Sequence, residues 1–256
     1  DGEISVATGE FTTAAEIALQ NGSLDGWDGS SPNAATDSKF WDTSNEGAKM
    51  GGLTPTQAVT DFVHTQGGKA AKLESGKVDL MGGIFAAASL YTGSFGSTNI
   101  WTQTATVNFG QSFTARPIAL KGFYKYTPNV INLVKNVPAG VTIVKDQTLD
   151  QCAIYIALAK KTYTIDNGNQ STFIDFKNDE NIIAYGELPS GAATEGDGYV
   201  EFNIPLKYKN LTDQPTHIIV VCSSSKYGDY MTGGAGSTLY VDDLSLIYDG
   251  TPTIWE

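Results

Sequence analysis

Two adjacent acids interrupt one of the most strand-like stretches of the chain. Residues 236–249 are rich in β-branched and aromatic residues and follow a glycine-rich turn, which predicts a last β-strand. Because side chains alternate between the two faces of a strand, we expect Asp242 and Asp243 on opposite faces. A carboxylate on an apolar face needs a partner, since an unpaired buried charge is very costly. A bound cation is one such partner, and a solvated position at the sheet edge is the alternative.

Aromatic side chains in polar loops are the second set of chemical candidates. A flat aromatic face can stack on the C–H surface of a sugar while nearby polar groups bond its hydroxyls, and such sites are concave. Trp101 and Tyr230 are the first candidates, because both stand in polar, turn-rich surroundings. Trp41, Tyr227 and Asp229 complete the predicted ligand-binding set. For each aromatic residue, packing in the core is the alternative interpretation.

Patterns typical of a catalytic site are scarce. The two histidines, His64 and His217, are far apart and lack the spacing of zinc ligands. No Gly-x-Ser-x-Gly motif is present, which gives no support to an α/β-hydrolase. Glycoside hydrolysis needs two carboxyl groups across a cleft, and the sequence cannot pair the candidates. These candidates are Asp175, Asp179, Glu180, Glu187 and Glu201.

Composition describes a globular chain that avoids anionic partners. Of 256 residues, 41% are hydrophobic and 17% are charged, which fits one large folded domain. The formal net charge of −12 disfavours nucleic acid and anionic membranes, but it places no limit on neutral partners such as sugars. No apolar run reaches the roughly 18 residues of a membrane span. The chain begins at Asp1 without Met, so we expect a processed protein.

Secondary-structure signals are almost entirely β. Residues 54–57 have the form of a capping box and precede apolar residues at helical spacing, which predicts one short helix over about 55–64. Turn residues separate the remaining apolar runs, so the fold class is predicted as an all-β jelly-roll sandwich of two antiparallel sheets. The predicted strands are 69–75, 84–91, 104–109, 117–126, 151–159, 181–188, 198–206, 216–223 and 237–248.

The two cysteines fall on strands that a jelly roll makes neighbours. Cys152 begins one predicted strand and Cys222 ends another, and antiparallel neighbours place the start of one opposite the end of the other. A disulfide is one interpretation, since an exported protein allows it. Two buried free thiols are the alternative.

Several segments carry a resemblance to known families. The first and last segments, 21–25 (NGSLD) and 239–246 (LYVDDLSL), resemble the first motif and last strand of jelly-roll carbohydrate-binding modules. Together with four further segments, they resemble the putative carbohydrate metabolism domain of gut bacteria. Those segments are 40–45 (FWDTSN), 90–95 (LYTGSF), 115–126 (ARPIALKGFYKY) and 228–234 (GDYMTGG). The resemblance implies a jelly-roll domain over 20–256, after a lead-in over 1–19.

The resemblance to jelly-roll modules also implies a structural calcium between the first and last strands. Carried over by position, its carboxylate ligands are Asp25 and Asp242, with carbonyl oxygens near Asn21 and Ser23. Calcium prefers such oxygen ligands. Related modules usually carry Glu where this chain has Asp25, which shortens the reach by one methylene.

The function that the resemblance implies is glycan handling outside the cytoplasm. The leading hypothesis is a non-catalytic glycan-binding module of a polysaccharide-utilisation system, with a polysaccharide or oligosaccharide as partner. Its implied location is secreted, periplasmic or on the outer cell surface, with a lipid anchor upstream of Asp1 and other surface glycan-uptake components as options. The alternatives are a structural or adhesive surface protein, and a glycoside hydrolase or lyase on the same fold.

Overall fold

The fold is built from strands of a jelly roll. The computed structural model describes residues 16–79 and 83–255, so most of the predicted lead-in lies outside the described residues. The strands found there are β1 (Trp41–Thr43), β2 (Thr56–Val59), β3 (Ala70–Glu74), β4 (Gly76–Val78), β5 (Ile84–Ala86), β6 (Ser89–Asn99), β7 (Thr104–Phe109), β8 (Gln111–Ser112), β9 (Ala119–Thr127), β10 (Ala153–Ala159), β11 (Tyr163–Asp166), β12 (Ile182–Glu187), β13 (Val200–Pro205), β14 (Lys207–Tyr208), β15 (His217–Ser223), β16 (Thr238–Ile247) and β17 (Thr253–Ile254). The helical elements of the same ranges are α1 (Asn45–Ala48) and the 3₁₀ turns Lys49–Gly51, Gln170–Thr172 and Gly228–Tyr230.

Two sheets form the sandwich, as the sequence predicts. The larger has ten strands with the path β11-β7-β6-β15-β10-β12-β14-β17, and β1 and β8 pair at its side. The smaller has the order β13-β9-β16-β3-β2, and β4 pairs with β5 as a separate hairpin. Pairing is antiparallel apart from the short contact of β14 with β17. The all-β jelly-roll prediction is therefore confirmed.

The predicted helix over 55–64 is wrong, because part of that segment is strand β2. Thr56 pairs with Leu73 of β3, its N–H donates to Asn45 Oδ1 at 2.8 Å, and its hydroxyl donates to Ser89 O at 3.0 Å. Residue 56 is fully buried by these contacts. Cross-strand pairing therefore outweighs the local capping pattern, because that pattern depends only on residues close in sequence. In the described chain, the α-helix is the four-residue α1 instead.

The two ends of the domain lie together. Leu244 N of the last long strand donates to Gly22 O at 2.7 Å. A Cβ atom at Gly22 would stand only 2.3 Å from Leu244 O, so this close approach requires glycine. The first turn is thereby packed against β16, where the sequence places it.

The core fills the space between the sheets with one face of each strand. Side chains from β10 and β15 at alternate positions, such as Ile154, Ile156 and Val220, are fully buried there. Cys152 and Cys222 belong to the same cluster and are free thiols, and burial raises the pKa of Cys152 to about 12. The pairing of β10 with β15 is confirmed, but its register sets Cys222 opposite Ile154, two residues beyond Cys152. Among the described residues, no helix has the length and apolarity to cross a membrane.

Candidate functional site

The outer face of the ten-stranded sheet holds an apolar cavity. Alternation along four neighbouring strands turns Tyr91, Phe109, Tyr155 and Val221 away from the sandwich core and into a second apolar cluster. These residues also line a cavity of about 200 Å³. The wall opposite them comes from α1 and its following turn, the β4–β5 hairpin and the β6–β7 hairpin. The sheet therefore forms the floor of an apolar chamber.

Asp229 is the one acidic residue among the described residues that line the cavity. Its turn reaches the chamber because Gly228 packs so closely on Ala87 that a Cβ would stand 2.6 Å from the Ala87 Cβ. Residue 229 is exposed to solvent, yet the surrounding wall removes enough water to raise the pKa of Asp229 to about 6. No described residue donates a hydrogen bond to this carboxylate. The structure therefore places Asp229, one of the predicted ligand-binding residues, on the wall of this cavity, where it is partly dehydrated.

A polar cleft lies next to the cavity. Three segments far apart in sequence form it: Thr102 and Thr104 of the β6–β7 hairpin, the pair Lys135 and Asn136, and residues 167–171. Thr104 and Asn167 line both the cleft and the cavity, so the two concavities share a rim. The cleft volume of about 550 Å³ falls within the roughly 300–1,000 Å³ typical of ligand sites.

Amide side chains give the polar cleft its hydrogen-bonding character. Asn167 Oδ1 accepts from Ala105 N at 2.8 Å, and Asn169 Oδ1 accepts from the Ser171 hydroxyl at 2.8 Å. These bonds fix the orientation of both amides and leave their NH₂ donors without an acceptor among the described residues. Gln170 adds a third amide, exposed at the cleft. The cleft therefore presents oriented donors to a polar, uncharged ligand.

Trp101 stands at the tip of the β6–β7 hairpin, where it lines neither concavity itself, but its chain neighbours Ile100 and Thr102 line the cavity and the cleft respectively. Its side chain is 86% exposed, and its neighbour Thr102 lines the cleft. Asn99 Oδ1 accepts hydrogen bonds from Trp101 N at 3.0 Å and Thr102 N at 3.3 Å, which orders the turn. A singly exposed apolar side chain is common on a protein surface, so this exposure does not by itself assign Trp101 a role. Its part as a stacking residue stays a prediction.

Tyr230 supports the polar cleft rather than lining it. Its ring packs edge-on against Phe173, with 5.1 Å between ring centroids, directly after the cleft segment 167–171. Its carbonyl oxygen accepts from Asn136 N at 3.2 Å on the opposite wall. Tyr230 thus connects two walls of the cleft. Tyr227 is half-buried in the same turn and lines neither concavity.

Trp41 is not available to a ligand, contrary to the sequence prediction. It is fully buried in the sandwich core, and its indole N–H donates to Gln20 O at 2.7 Å. The buried Asn33 side chain accepts from Phe40 N and Trp41 N, which lets this polar-looking segment enter the core. The polar neighbours of Trp41 therefore signal satisfied backbone groups and not exposure.

The acids of the last strand face one loop, and not opposite faces as predicted. Strand β16 has an irregular register between Asp242 and Ser245, and Asp243 has a positive φ of 49°. This bulge rotates both acids towards the loop that contains His64. Asp242 Oδ2 accepts from His64 N at 2.7 Å, and Asp243 Oδ2 contacts His64 Nδ1 at 2.7 Å.

The donors around Asp25 and Asp242 do not fit a calcium site that uses these carboxylates. Asp242 Oδ1 accepts from Asp243 N at 2.9 Å, so both of its oxygens already bind N–H groups. Asp25 Oδ1 accepts from Lys69 N at 2.7 Å. The described residues contain no group of three or more His, Cys, Asp or Glu side chains placed to hold a metal ion. Calcium stays a prediction from the resemblance, without support from this geometry.

A melting experiment tests the calcium prediction. We expect the same Tm in EDTA and in excess CaCl₂, because N–H groups occupy the positions that a cation at Asp242 would need. An ion bound only by the folded protein raises stability by about 2.7 kcal/mol at a hundredfold excess over Kd. A Tm that rises by several degrees in CaCl₂ and falls in EDTA would restore the ion.

Comparisons with known proteins place the fold among carbohydrate-related domains. The profile of the putative carbohydrate metabolism domain matches residues 16–247. No curated protein matches the chain.

Several solved structures resemble the chain in fold. A putative glycoside hydrolase from Bacteroides thetaiotaomicron is 24% identical, with a TM-score of 0.62, over 82% of this chain and 63% of that one. A second putative glycoside hydrolase, from Bacteroides vulgatus, is 25% identical, with a TM-score of 0.61, over 84% of this chain and 88% of that one. A family 11 carbohydrate-binding module from Clostridium thermocellum, in complex with a mixed-linked tetrasaccharide, is 10% identical at a TM-score of 0.32, over 86% of this chain and 94% of that one. This chain spans less than two thirds of the length of the first of these proteins.

Proposed function

The chain belongs to the putative carbohydrate metabolism domain family, and from this membership we propose that it is a non-catalytic module that binds a neutral glycan. The proposed site is the polar cleft with the Trp101 hairpin. The proposed setting is outside the cytoplasm, as a secreted, periplasmic or surface protein of a polysaccharide-utilisation system. Such a setting suits the ligand, because polysaccharides are met outside the cell.

The observation that carries the proposal is the exposed Trp101 beside a cleft of oriented amides. A pyranose has an apolar C–H face and a rim of hydroxyl groups. The indole offers area for the first, and the NH₂ groups of Asn167 and Asn169 offer donors for the second. The formal net charge of −12 disfavours a strongly acidic glycan, so a neutral one is the better candidate.

Affinity electrophoresis tests the proposal. Native gels cast with single neutral polysaccharides, such as galactans, β-glucans, xyloglucan and mannans, separate the protein from an albumin reference. We expect at least one polysaccharide to slow the protein relative to its migration in an empty gel. Unchanged migration in every gel would contradict glycan binding and favour the structural or adhesive alternative.

A glycoside hydrolase or lyase is the second candidate, and Asp229 favours it. A carboxyl group with a pKa of about 6 in a concave site has the properties of a general acid. The two-carboxylate mechanism needs a second acid within about 10 Å, and no other described carboxyl group lines the cavity. Release of reducing ends from the same polysaccharides, lost in Asp229→Asn, would establish the enzyme; no release would leave binding as the function.

A further inference from the structure

The cavity behind the polar cleft has a different chemistry from the cleft itself. Its floor is formed by the aromatic rings of Tyr91, Phe109 and Tyr155, and its volume is about 200 Å³. That volume lies below the roughly 300–1,000 Å³ of common ligand sites and far above the roughly 30 Å³ share of one water molecule. Met50 and Ile100, 55% and 42% exposed, line it where it meets solvent. The cavity has room for a ligand with about one aromatic ring.

The carboxylate of Asp229 is the unusual feature of this chamber. Residue 229 is exposed, so its carboxylate keeps contact with water at the cavity wall. Lys226 also lines the cavity but forms no ion pair with Asp229. Tyr91, Tyr155 and Asp229 line the same cavity. The carboxylate therefore shares the cavity with two aromatic rings and forms no ion pair with a described residue.

We propose that this cavity binds a small organic ammonium ligand, with its apolar body against Tyr91 and Tyr155 and its ammonium group on Asp229. Aromatic faces attract cations, and the carboxylate supplies a charge-assisted hydrogen bond. An organic anion is repelled by Asp229. The proposal does not rest on glycan binding in the cleft, although Thr104 and Asn167 line both concavities.

Three probes of similar shape separate the effect of ligand charge from the effect of burying an apolar ring. Phenethylamine is cationic at neutral pH, 2-phenylethanol is neutral and phenylacetate is anionic. We expect calorimetry to show that phenethylamine binds at least about tenfold more tightly than the alcohol, the range of a hydrogen bond to a charged group. Asp229→Asn should abolish this preference, whereas Asp197→Asn, an exposed acid elsewhere, should keep it. Equal affinity for all three probes, or binding of none, would overturn the proposal.

The pH dependence of the wild-type protein provides a test without any variant. Asp229 protonates as the pH falls through about 6, so phenethylamine affinity should fall about tenfold from pH 7 to pH 5. The alcohol should bind equally at both pH values. The other titratable groups that line the cavity are Lys226, Tyr91 and Tyr155, and the nearby Asp42 is paired with Lys39 at 2.7 Å. An amine affinity that does not change with pH would overturn the role of Asp229.

Discussion

Replacement of Trp101 by alanine is expected to weaken, at least tenfold, binding of the polysaccharide that slows the wild-type protein in affinity electrophoresis. The indole is 86% exposed, so its removal leaves no cavity in the protein and should not change Tm. It would remove an exposed aromatic face whose chain neighbour Thr102 lines the polar cleft, and truncation of an aromatic residue that acts as a binding hot spot costs about 2 kcal/mol or more of binding free energy. Affinity electrophoresis over a series of polysaccharide concentrations gives the ratio of dissociation constants.

Leu211→Ala is the matched control for this experiment. Leu211 is also an exposed apolar side chain, 51% accessible, but, unlike Trp101, it has no chain neighbour that lines the cavity or the cleft. Its removal should leave polysaccharide affinity unchanged. Equal affinity of wild type, Trp101→Ala and Leu211→Ala would show that the hairpin tip takes no part in binding.

Replacement of Asp150 by alanine is expected to lower the free energy of unfolding by about 3–5 kcal/mol. Residue 150 is 1% exposed. Its Oδ2 accepts from Ser225 Oγ at 2.6 Å, Gly234 N at 2.7 Å and Ser237 Oγ at 3.1 Å, and its Oδ1 accepts from Gln151 N at 2.8 Å. Alanine leaves these donors buried without an acceptor, which is more costly than the loss of an exposed bond.

Urea unfolding followed by circular dichroism measures this effect, with Asp37→Ala as the control at an exposed acid. Asp150 also binds Ser225 and Gly234, which lie on either side of the turn that contains Asp229, so the position of that turn depends on it. We expect Asp37→Ala to remain within about 0.5 kcal/mol of wild type. An Asp150→Ala protein as stable as wild type would show that the buried network contributes little.

The strands could be predicted from sequence because their signals are local. Alternating apolar residues and turn residues give the positions of β3, β7, β10, β15 and β16 closely. The edge strands β2 and β11 are short, and their pairing depends on partners that no local pattern reveals. The sequence predicts a helix at β2 for this reason. Thr56 is held there by pairing with Leu73 and by hydrogen bonds to Asn45 and Ser89, all distant in sequence.

The site was only partly predictable, because its walls come together through topology. Trp101 is identifiable from the polar turn around it. Trp41 looks similar in sequence, but the distant Asn33 side chain satisfies its backbone inside the core. The amides of residues 167–171 had one sequence signal, their density in DNGNQS, which also fits an ordinary turn. Tyr91 and Tyr155 resemble core residues until strand register shows that they face outwards.

Glycan binding in the polar cleft is tested most directly by an NMR titration of ¹⁵N-labelled protein. The ligand is an oligosaccharide fragment of the polysaccharide that slows the protein in affinity electrophoresis. The account predicts that shift changes cluster at residues 101–104, 135–136 and 167–171, including the side-chain NH₂ signals of Asn167 and Asn169. Shift changes confined to the five-stranded sheet, around Tyr124 and Phe202, with the cleft signals unmoved, would contradict it.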